Sequence, residues 1–533
     1  MLRVYRNMTR RTRILVLVPL IAIAAAVIIG VGLLQIPIRS DTLKDKVIAL
    51  LSDQLESEVT IESLEGRVFP RVSVSGRGVV IRHKGRTDVP PLISIDEFEI
   101  RGSLQDLIQH PRRVGEVRLR GLQVKIPPGD DTDDPAKPEK SEAQKQDDIR
   151  SLQRVIIEKF EAPDTVITLI PKRAGKPPKV FTVHHLVMDS LGVNQTIPYI
   201  ATLTNPVPKG EIETSGTFGP WNVAHPASTP ITGNYTFADA NLDTIQGLAG
   251  VLSSTGKFHG PINRIEVQGT TDTPKFQVDV GGSPVPLKTR FTAIVDGSDG
   301  DTYLEQVDAS FLDTSMTARG AVIGLEGVPG RRIEVDVNME NGRIEDLLQL
   351  AVHSEKPILR GAARLKAKLV IPPEKKKVID KLQLTGEFRL SQATFTDAGV
   401  QTKLVGLSRR GRGMSQDEKV GEVLSDMRAR FAVKDAAAHF SSLTFSVPGA
   451  AVELAGRYGL RDEMIGFKGK LKMQATLSQV AGGGVKGFFL KAFDPFFREK
   501  DAGMVLPIKI EGTRKNPKFG LDMFSGSSRK ASR

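Results

Sequence analysis

Cysteine is absent from all 533 residues. That one absence excludes disulfide staples, thiol nucleophiles and thiolate metal sites together. Aromatic side chains make up only 5% of the chain and there is a single Trp, so any interior must be built mainly from Val, Ile, Leu and Ala. No P-loop, dinucleotide-binding fingerprint, nucleophile elbow or HExxH pair occurs. The histidines are scattered singly except His184-His185. Adjacent strand residues point to opposite faces, which is poor geometry for a shared metal. The run D-G-S-D-G-D at 296–301 lacks the Glu that closes a calcium loop and reads as a β-turn. A net charge of +12 is not gathered into a basic stripe with interleaved aromatics, which argues against nucleic acid. Neither enzyme chemistry nor a bound metal or cofactor is expected.

What is present begins with a long apolar run. Residues 14–34 (I-L-V-L-V-P-L-I-A-I-A-A-A-V-I-I-G-V-G-L-L) are uncharged and almost wholly apolar. About 20 such residues in a helix cross a hydrocarbon core. The run continues past the small residues Ala24–Ala26, which distinguishes an uncleaved anchor from a signal peptide. Arg3, Arg6, Arg10, Arg11 and Arg13 precede it without any acid, and mixed charge follows it. The positive-inside tendency then leaves residues 1–13 in the cytoplasm and exports the remainder.

Beyond the anchor, 41–56 has apolar residues at Leu43, Val47, Leu50, Leu51 and Leu55, the spacing of an amphipathic helix. Strands are expected at Arg71–Ser75, Gly78–Arg82, Ile93–Ile100 and Val114–Ile126. The run S-L-Q-D-L-I (103–108) supplies a short helix between the last two. Residues 127–150 hold almost no apolar side chains and read as a polar, disordered linker. From Leu152 onward apolar residues recur two apart around a Gly: Ile212, Gly216, Phe218; Leu382, Leu384, Gly386, Phe388; Val452, Leu454, Gly456, Tyr458. Period two gives strands with one apolar and one polar face. Only short helices interrupt, at 343–348 (R-I-E-D-L-L) and around Leu242, Ile245, Ala249 and Leu252. The segments 265–280 and 508–523 share seven identical residues in sixteen without a gap, including Gly269 and Gly512. Both read as strand, break and strand, a repeated hairpin-like unit.

Two further motifs leave alternatives open. In S-R-R-G-R-G (408–413), Arg409, Arg410 and Arg412 could hold a phosphate; an exposed loop is the simpler reading. Near the C-terminus Phe488, Phe489, Phe493, Phe496 and Phe497 lie among Lys486, Lys491, Arg498 and Lys500. They either cover an end of the β structure or contact a membrane surface or partner.

The anchor, the amphipathic helix, the strand–S-L-Q-D-L-I–strand unit, the stretch V-P-G-A-A-V-E-L-A-G-R-Y-G-L (447–460) and the ending D-P-F-F…L-P-I-K-I-E-G-T-R-K-N-P-K-F together resemble the AsmA-like family. The resemblance implies a β-rich, trough-like protein of the inner membrane, concerned with outer-envelope biogenesis and phospholipid transport. The expected fold is therefore mainly β, an elongated twisted sheet forming a groove, with a few short helices and one N-terminal transmembrane helix. On the order of 25 strands at about 4.8 Å would extend roughly 120 Å. The expected division is tail 1–13, anchor 14–34, N-terminal β region 35–126, linker 127–150, β-groove 151–480, C-terminal aromatic helix and closing strands 481–523, and tail 524–533. Half-apolar strands with few helices to cover them must hide one face by closure or by ligand. Leu382, Leu384, Phe388, Val452, Leu454 and Tyr458 are the expected groove lining, with membrane phospholipids as ligand and other envelope proteins as further partners. The competing reading is a closed, dry scaffold tethered to the membrane that acts on outer-membrane protein assembly.

Overall fold

The computed structural model describes residues 44–45, 47–49, 51–52, 57–67, 72–83, 91–103, 112–126, 155–170, 178–192, 194–222, 225–278, 282–325, 328–351, 357–414, 423–475, 503–513 and 516–522. The expected anchor at 14–34, the run from Leu104 to Ile108, the linker 127–150, the Phe-rich segment 488–497 and both tails lie outside them. Among the described residues no helix is long and apolar enough to cross a membrane. Strand dominates: 27 strands join one hydrogen-bonded sheet of mixed direction, with few and short helices. Contacts divide the chain into two units, one of Met1–Thr244, Val251–Thr271 and Thr292–Thr302, the other of Ile245–Gly250, Asp272–Phe291 and Tyr303–Arg533.

The first unit begins with a helix across 44–52, followed by β1 (Ser57–Thr60), β2 (Ser63–Arg67), β3 (Val72–His83), β4 (Ile93–Gly102), β5 (Arg112–Arg120) and β6 (Gln123–Ile126). Next come β7 (Val155–Glu161), β8 (Thr165–Leu169), β9 (Lys179–Leu191), β10 (Ile197–Pro206), β11 (Lys209–Phe218) and β12 (Pro230–Asn241). Two differences from the expected strands have backbone causes. The strands expected at 71–75 and 78–82 fall on one strand, β3, whose ladder with β4 keeps its register from Arg77 to Val79 even though Gly78 takes a left-handed φ of 66°. Val114–Ile126 is two strands, because Gly121, at φ 62°, breaks the ladder. β5 and β6 run parallel to β7 and β8, whereas the remaining pairings in this unit are antiparallel. Parallel neighbours need a long connection, and residues 127–154 supply its length.

The N-terminal strands of this unit enclose a core. Val47 and Leu51 of the helix sit on a continuous core with Ile81, Ile93, Val114, Val117, Leu119 and Ile157, all essentially without solvent contact. Beside it Glu161, largely shielded from water, accepts hydrogen bonds from Lys159 and Arg118. These bonds to Lys159 first, then Arg118, hold its carboxyl below the usual carboxylate range. A depressed carboxyl stabilises the fold above its unfolded pKa, and that contribution disappears as pH falls through the folded value. Glu161→Gln should therefore cost stability at neutral pH and flatten the acid limb of a melting-temperature profile. An acid limb identical to that of the unmodified protein would count against the pairing.

The second unit opens with β13 (Leu248–Ala249) and includes most of a long antiparallel meander. β14 (Val251–Pro261) belongs to the first unit, β15 (Ile265–Val278) and β16 (Val285–Val295) are divided between the two, and the second unit continues through β17 (Thr302–Phe311), β18 (Thr314–Leu325), β19 (Val328–Arg343), β20 (Leu359–Ile371) and β21 (Gln383–Phe395). It ends with β22 (Ser425–Lys434), β23 (Ala437–Val447), β24 (Ala450–Gly459), β25 (Met464–Met473), β26 (Met504–Thr513) and β27 (Asn516–Leu521). Among the described residues three helices accompany it: α1 (Ile344–Ala351), the single turn Val378–Lys381 and α2 (Ala398–Arg412). α1 falls where R-I-E-D-L-L predicted it. The helix expected around Leu242–Leu252 is not formed. Leu242–Thr244 is one 3-10 turn and Leu248–Ala249 a short strand, since Gly247 and Gly250 sit at φ 93° and 121°, incompatible with a helix.

Residues 296–301 do form a turn between β16 and β17, with Asp296 accepting from the Ser298 backbone and hydroxyl. The run 408–413 is not a loop. It is the last turn of α2, whose N-terminus is capped by Asp397 accepting from Val400 N at 2.8 Å and whose C-terminus ends on left-handed Gly413. Basic Arg409, Arg410 and Arg412 thus complement the carbonyl end of a helix. Tertiary packing of Leu404, Val405 and Leu407 onto the sheet holds this weakly amphipathic segment helical.

The related segments 265–280 and 508–523 are both strand but differ in shape. β15 is one unbroken strand through Gly269, whereas β26 and β27 form a hairpin that places Gly512 at φ 104° opposite Pro517. Gly269 and Gly512 are therefore not equivalent.

Candidate functional site: an apolar sheet face

The strict alternation of β18–β27 and their register place apolar residues in continuous rows across the strands. One row runs Gly320–Val335–Leu369–Leu384–Val433–Ala438–Tyr458–Ile465–Gly512–Pro517. The next runs Ala318–Val337–Ala367–Gly386–Phe431–Phe440–Gly456–Phe467–Ile510–Phe519. A third runs Met339–Leu365–Phe388–Ala429–Leu443–Leu454–Gly469–Ile508–Leu521. A fourth links Ala363, Leu390, Met427, Phe445, Val452, Leu471 and Leu506. None of these positions carries a charge. The residues between them, on the other face, are largely Lys, Arg, Glu and Asp.

The register joins residues that sequence spacing left on separate strands. Leu384 and Tyr458 share one row, Phe388 and Leu454 another, and Val452 lies in the fourth. Leu382 does not join them: it precedes β21, its backbone N–H closing the helical turn Val378–Lys381 onto Val378 O. The Phe residues at 488–497 fall outside the described residues.

Burial along these rows is uneven, and the unevenness defines the site. At one end α1 packs Ile344, Leu347 and Leu348 onto Met339, Leu359, Ala363 and Leu390. α2 does the same over Val447, Ala450, Met473 and Met504. Those sheet residues are buried. Away from the helices Leu384, Phe388, Phe431, Phe440, Val452, Leu454 and Tyr458 are each only half-buried. Along β27, Phe519 is 75% exposed and Leu521 51%. Both helices thus lie toward the same end of the strands, at and beyond the fourth row, so the described residues include a helical cover for one end of the apolar face but not for its middle.

Aromatic rings concentrate in that middle. Phe388, Phe431, Phe440 and Phe467 follow one another across β21–β25 with centroid separations of 6.2, 6.4 and 5.6 Å, the tilted spacing such pairs favour. Sequence reading missed three of the four, because a lone Phe on a strand does not reveal which strand lies beside it. Glycines alternate with the rings. A Cβ at Gly456 would lie 2.1 Å from Gly466 O, and one at Gly469 1.8 Å from Glu453 O. Adjacent backbones therefore approach where side chains are missing.

Among the described residues no three His, Asp or Glu side chains could hold a metal ion. His184 and His185 are both exposed on β9, where a register shift leaves His184 out of the ladder. His184 Nε2 lies 2.7 Å from Thr204 Oγ1 and 3.4 Å from a Glu211 carboxylate oxygen.

No family model matches the sequence, and no curated protein or solved structure is significantly similar to it.

Proposed function

We propose that the apolar face of β18–β27 is a groove that shelters the acyl chains of membrane phospholipid. One observation carries this reading: the rows are apolar across ten strands, yet away from α1 and α2 residues such as Leu384, Phe388, Phe431, Phe440, Leu454 and Tyr458 keep partial access to solvent, although Ala429, Val433 and Ala438 among them are buried. Fully hydrated, such a surface is costly at about 25 cal/mol per Å² of apolar area. Aliphatic and Phe side chains without charge match hydrocarbon, and continuity from strand to strand gives a chain a path rather than a pocket. The anchor expected at 14–34 and the resemblance to AsmA-like proteins support a place on the outer side of the cytoplasmic membrane, in phospholipid handling for the outer envelope.

The test uses a photoreactive amino acid placed in the full-length protein in cells. At Leu384 or Val452, on the apolar face, phospholipid adducts should form. At Thr385 or Glu453, one residue along and on the opposite face, they should be several-fold fewer. Equal yields on the two faces, or no lipid adduct at either apolar position, would overturn the groove and favour a closed scaffold.

A further inference from the structure

The opposite face of the same strands contains an arrangement that folding does not require. Arg364, Arg389 and Arg428 stand directly opposite one another on β20, β21 and β22. Like charges facing each other across an antiparallel ladder destabilise it. Other cross-strand pairs on this face join opposite signs, such as Asp336 with Lys368 and Glu453 with Lys470, although Lys468 faces Lys509. The three arginines are exposed, and none has an ion pair or hydrogen bond to another described side chain. One step along β22, Arg430 has only a 3.7 Å contact with Glu387. It borders an open cavity of about 500 Å³, lined by Phe431, Phe440 and Gly456 as well as by His439, Ser441 and Arg457. Ser441 is the extra residue of a β-bulge in β23, and small Ala432 and Gly466 form part of the lining.

We propose that this face of β20–β24 binds a phosphate-bearing group, with Arg430, Arg457 and Ser441 around the cavity and the Arg364–Arg389–Arg428 row beside it. Strands lie about 4.8 Å apart and alternate residues about 6.8 Å apart. On that spacing Arg389, Arg428 and Arg430 lie within about 8 Å of one another and can share a diphosphate, while Arg364 and Arg457, at the two ends and roughly 23 Å apart, reach separate phosphates. Each can offer a bidentate fork to phosphate, which Lys cannot. A bound polyanion would also relieve the repulsion that the arginine row imposes. The ligand is a phosphate ester or diphosphate, whether a lipid headgroup or a soluble phosphorylated metabolite. The site lies on the reverse of the acyl-chain groove and does not depend on it.

Calorimetry on the full-length protein in neutral detergent, with pyrophosphate as probe, tests the soluble source. Flotation with phosphatidylcholine vesicles, with and without phosphatidate, tests the headgroup source. Binding by either probe supports the site, and which probe binds identifies the source. Arg389→Gln with Arg428→Gln should weaken that binding by about tenfold or more, raised salt should weaken it further, and the melting temperature without ligand should hold or rise. Arg457→Gln serves as a second variant outside the row and should also lose affinity. Lys257→Gln, which removes a charge on β14, should leave binding unchanged. Failure of both probes to bind the unmodified protein, unchanged affinity in the arginine variants, or an equal loss in Lys257→Gln would overturn the proposal.

Discussion

Leu454→Asp should yield a folded protein that no longer contacts lipid along β24. Leu454 lies between Leu443 and Gly469 in its row and is half-buried, with no covering layer described over it. A carboxylate there keeps access to water, so the several kcal/mol cost of burying an unpaired charge is largely avoided. Its charge nevertheless sits in the path proposed for an acyl chain. Photo-crosslinking to phospholipid from neighbouring Val452 should fall several-fold, while resistance to protease persists. The matched control is Leu119→Asp in the closed core of the first unit, where the side chain is 1% exposed. That change should cost about 4 kcal/mol or more and unfold the unit. If Leu454→Asp becomes as protease-sensitive as Leu119→Asp, the face is a closed core. If it stays folded and crosslinks lipid undiminished, the face is not the lipid path.

Gly469→Val should be the most damaging substitution on the apolar face. Its Cβ would meet Glu453 O at 1.8 Å and Leu454 Cα at 2.9 Å, both backbone atoms that cannot swing aside as a side chain can. β24 and β25 would have to separate, losing ladder hydrogen bonds and interrupting the rows where they pass from Leu454 to Gly469 and from Val452 to Leu471. Overpacking without room to relax costs about 3 kcal/mol or more, and the C-terminal meander should become protease-sensitive. Gly466, three residues earlier on the same strand, is the contrast. Nothing lies within 4 Å of a Cβ built there. Gly466→Ala should be neutral or stabilise by about 0.5 kcal/mol through reduced backbone freedom in the unfolded chain. Equal melting temperatures for the two variants would show that close backbone approach at Gly469 does not hold in solution.

Both predictions rest on alternation, the most legible property of this chain. Val452, Leu454 and Tyr458 share a face because residues two apart on a strand must, and no neighbour is needed to establish it. The turn at 296–301 and helix α1 were equally readable, because Asp-Gly chemistry and an apolar i, i+3, i+4 pattern act over a few residues. Which strands lie side by side is a different kind of fact. The aromatic succession Phe388, Phe431, Phe440 and Phe467 spans 80 residues of sequence and depends on the registers of four strand pairings. The arginine row Arg364–Arg389–Arg428 was invisible for the same reason, since each Arg alone is an ordinary residue of a solvated face.

The sequence by itself determined that the chain is mainly β, that its strands are two-faced and that the faces differ sharply in polarity. The two related segments mark where that local information stops. In 265–280, β14 runs alongside without interruption: a Cβ at Gly256 would touch Gly269 Cα at 2.9 Å, and one at Gly250 would touch Lys275 O at 2.6 Å. β13 pairs the far end at Val278, so the Gly-Thr step stays extended. In 508–523 the neighbouring strand β25 begins at Met464, opposite Thr513, so its ladder offers no partner to the residues that follow. The chain there turns back on itself as β27. Related residues are a continuous strand where β14 and then β13 lie beside them and a hairpin where the β25 ladder ends at Thr513. Only the tertiary structure could decide between them, because a backbone hydrogen bond needs a partner and the adjacent strands supply or withhold it.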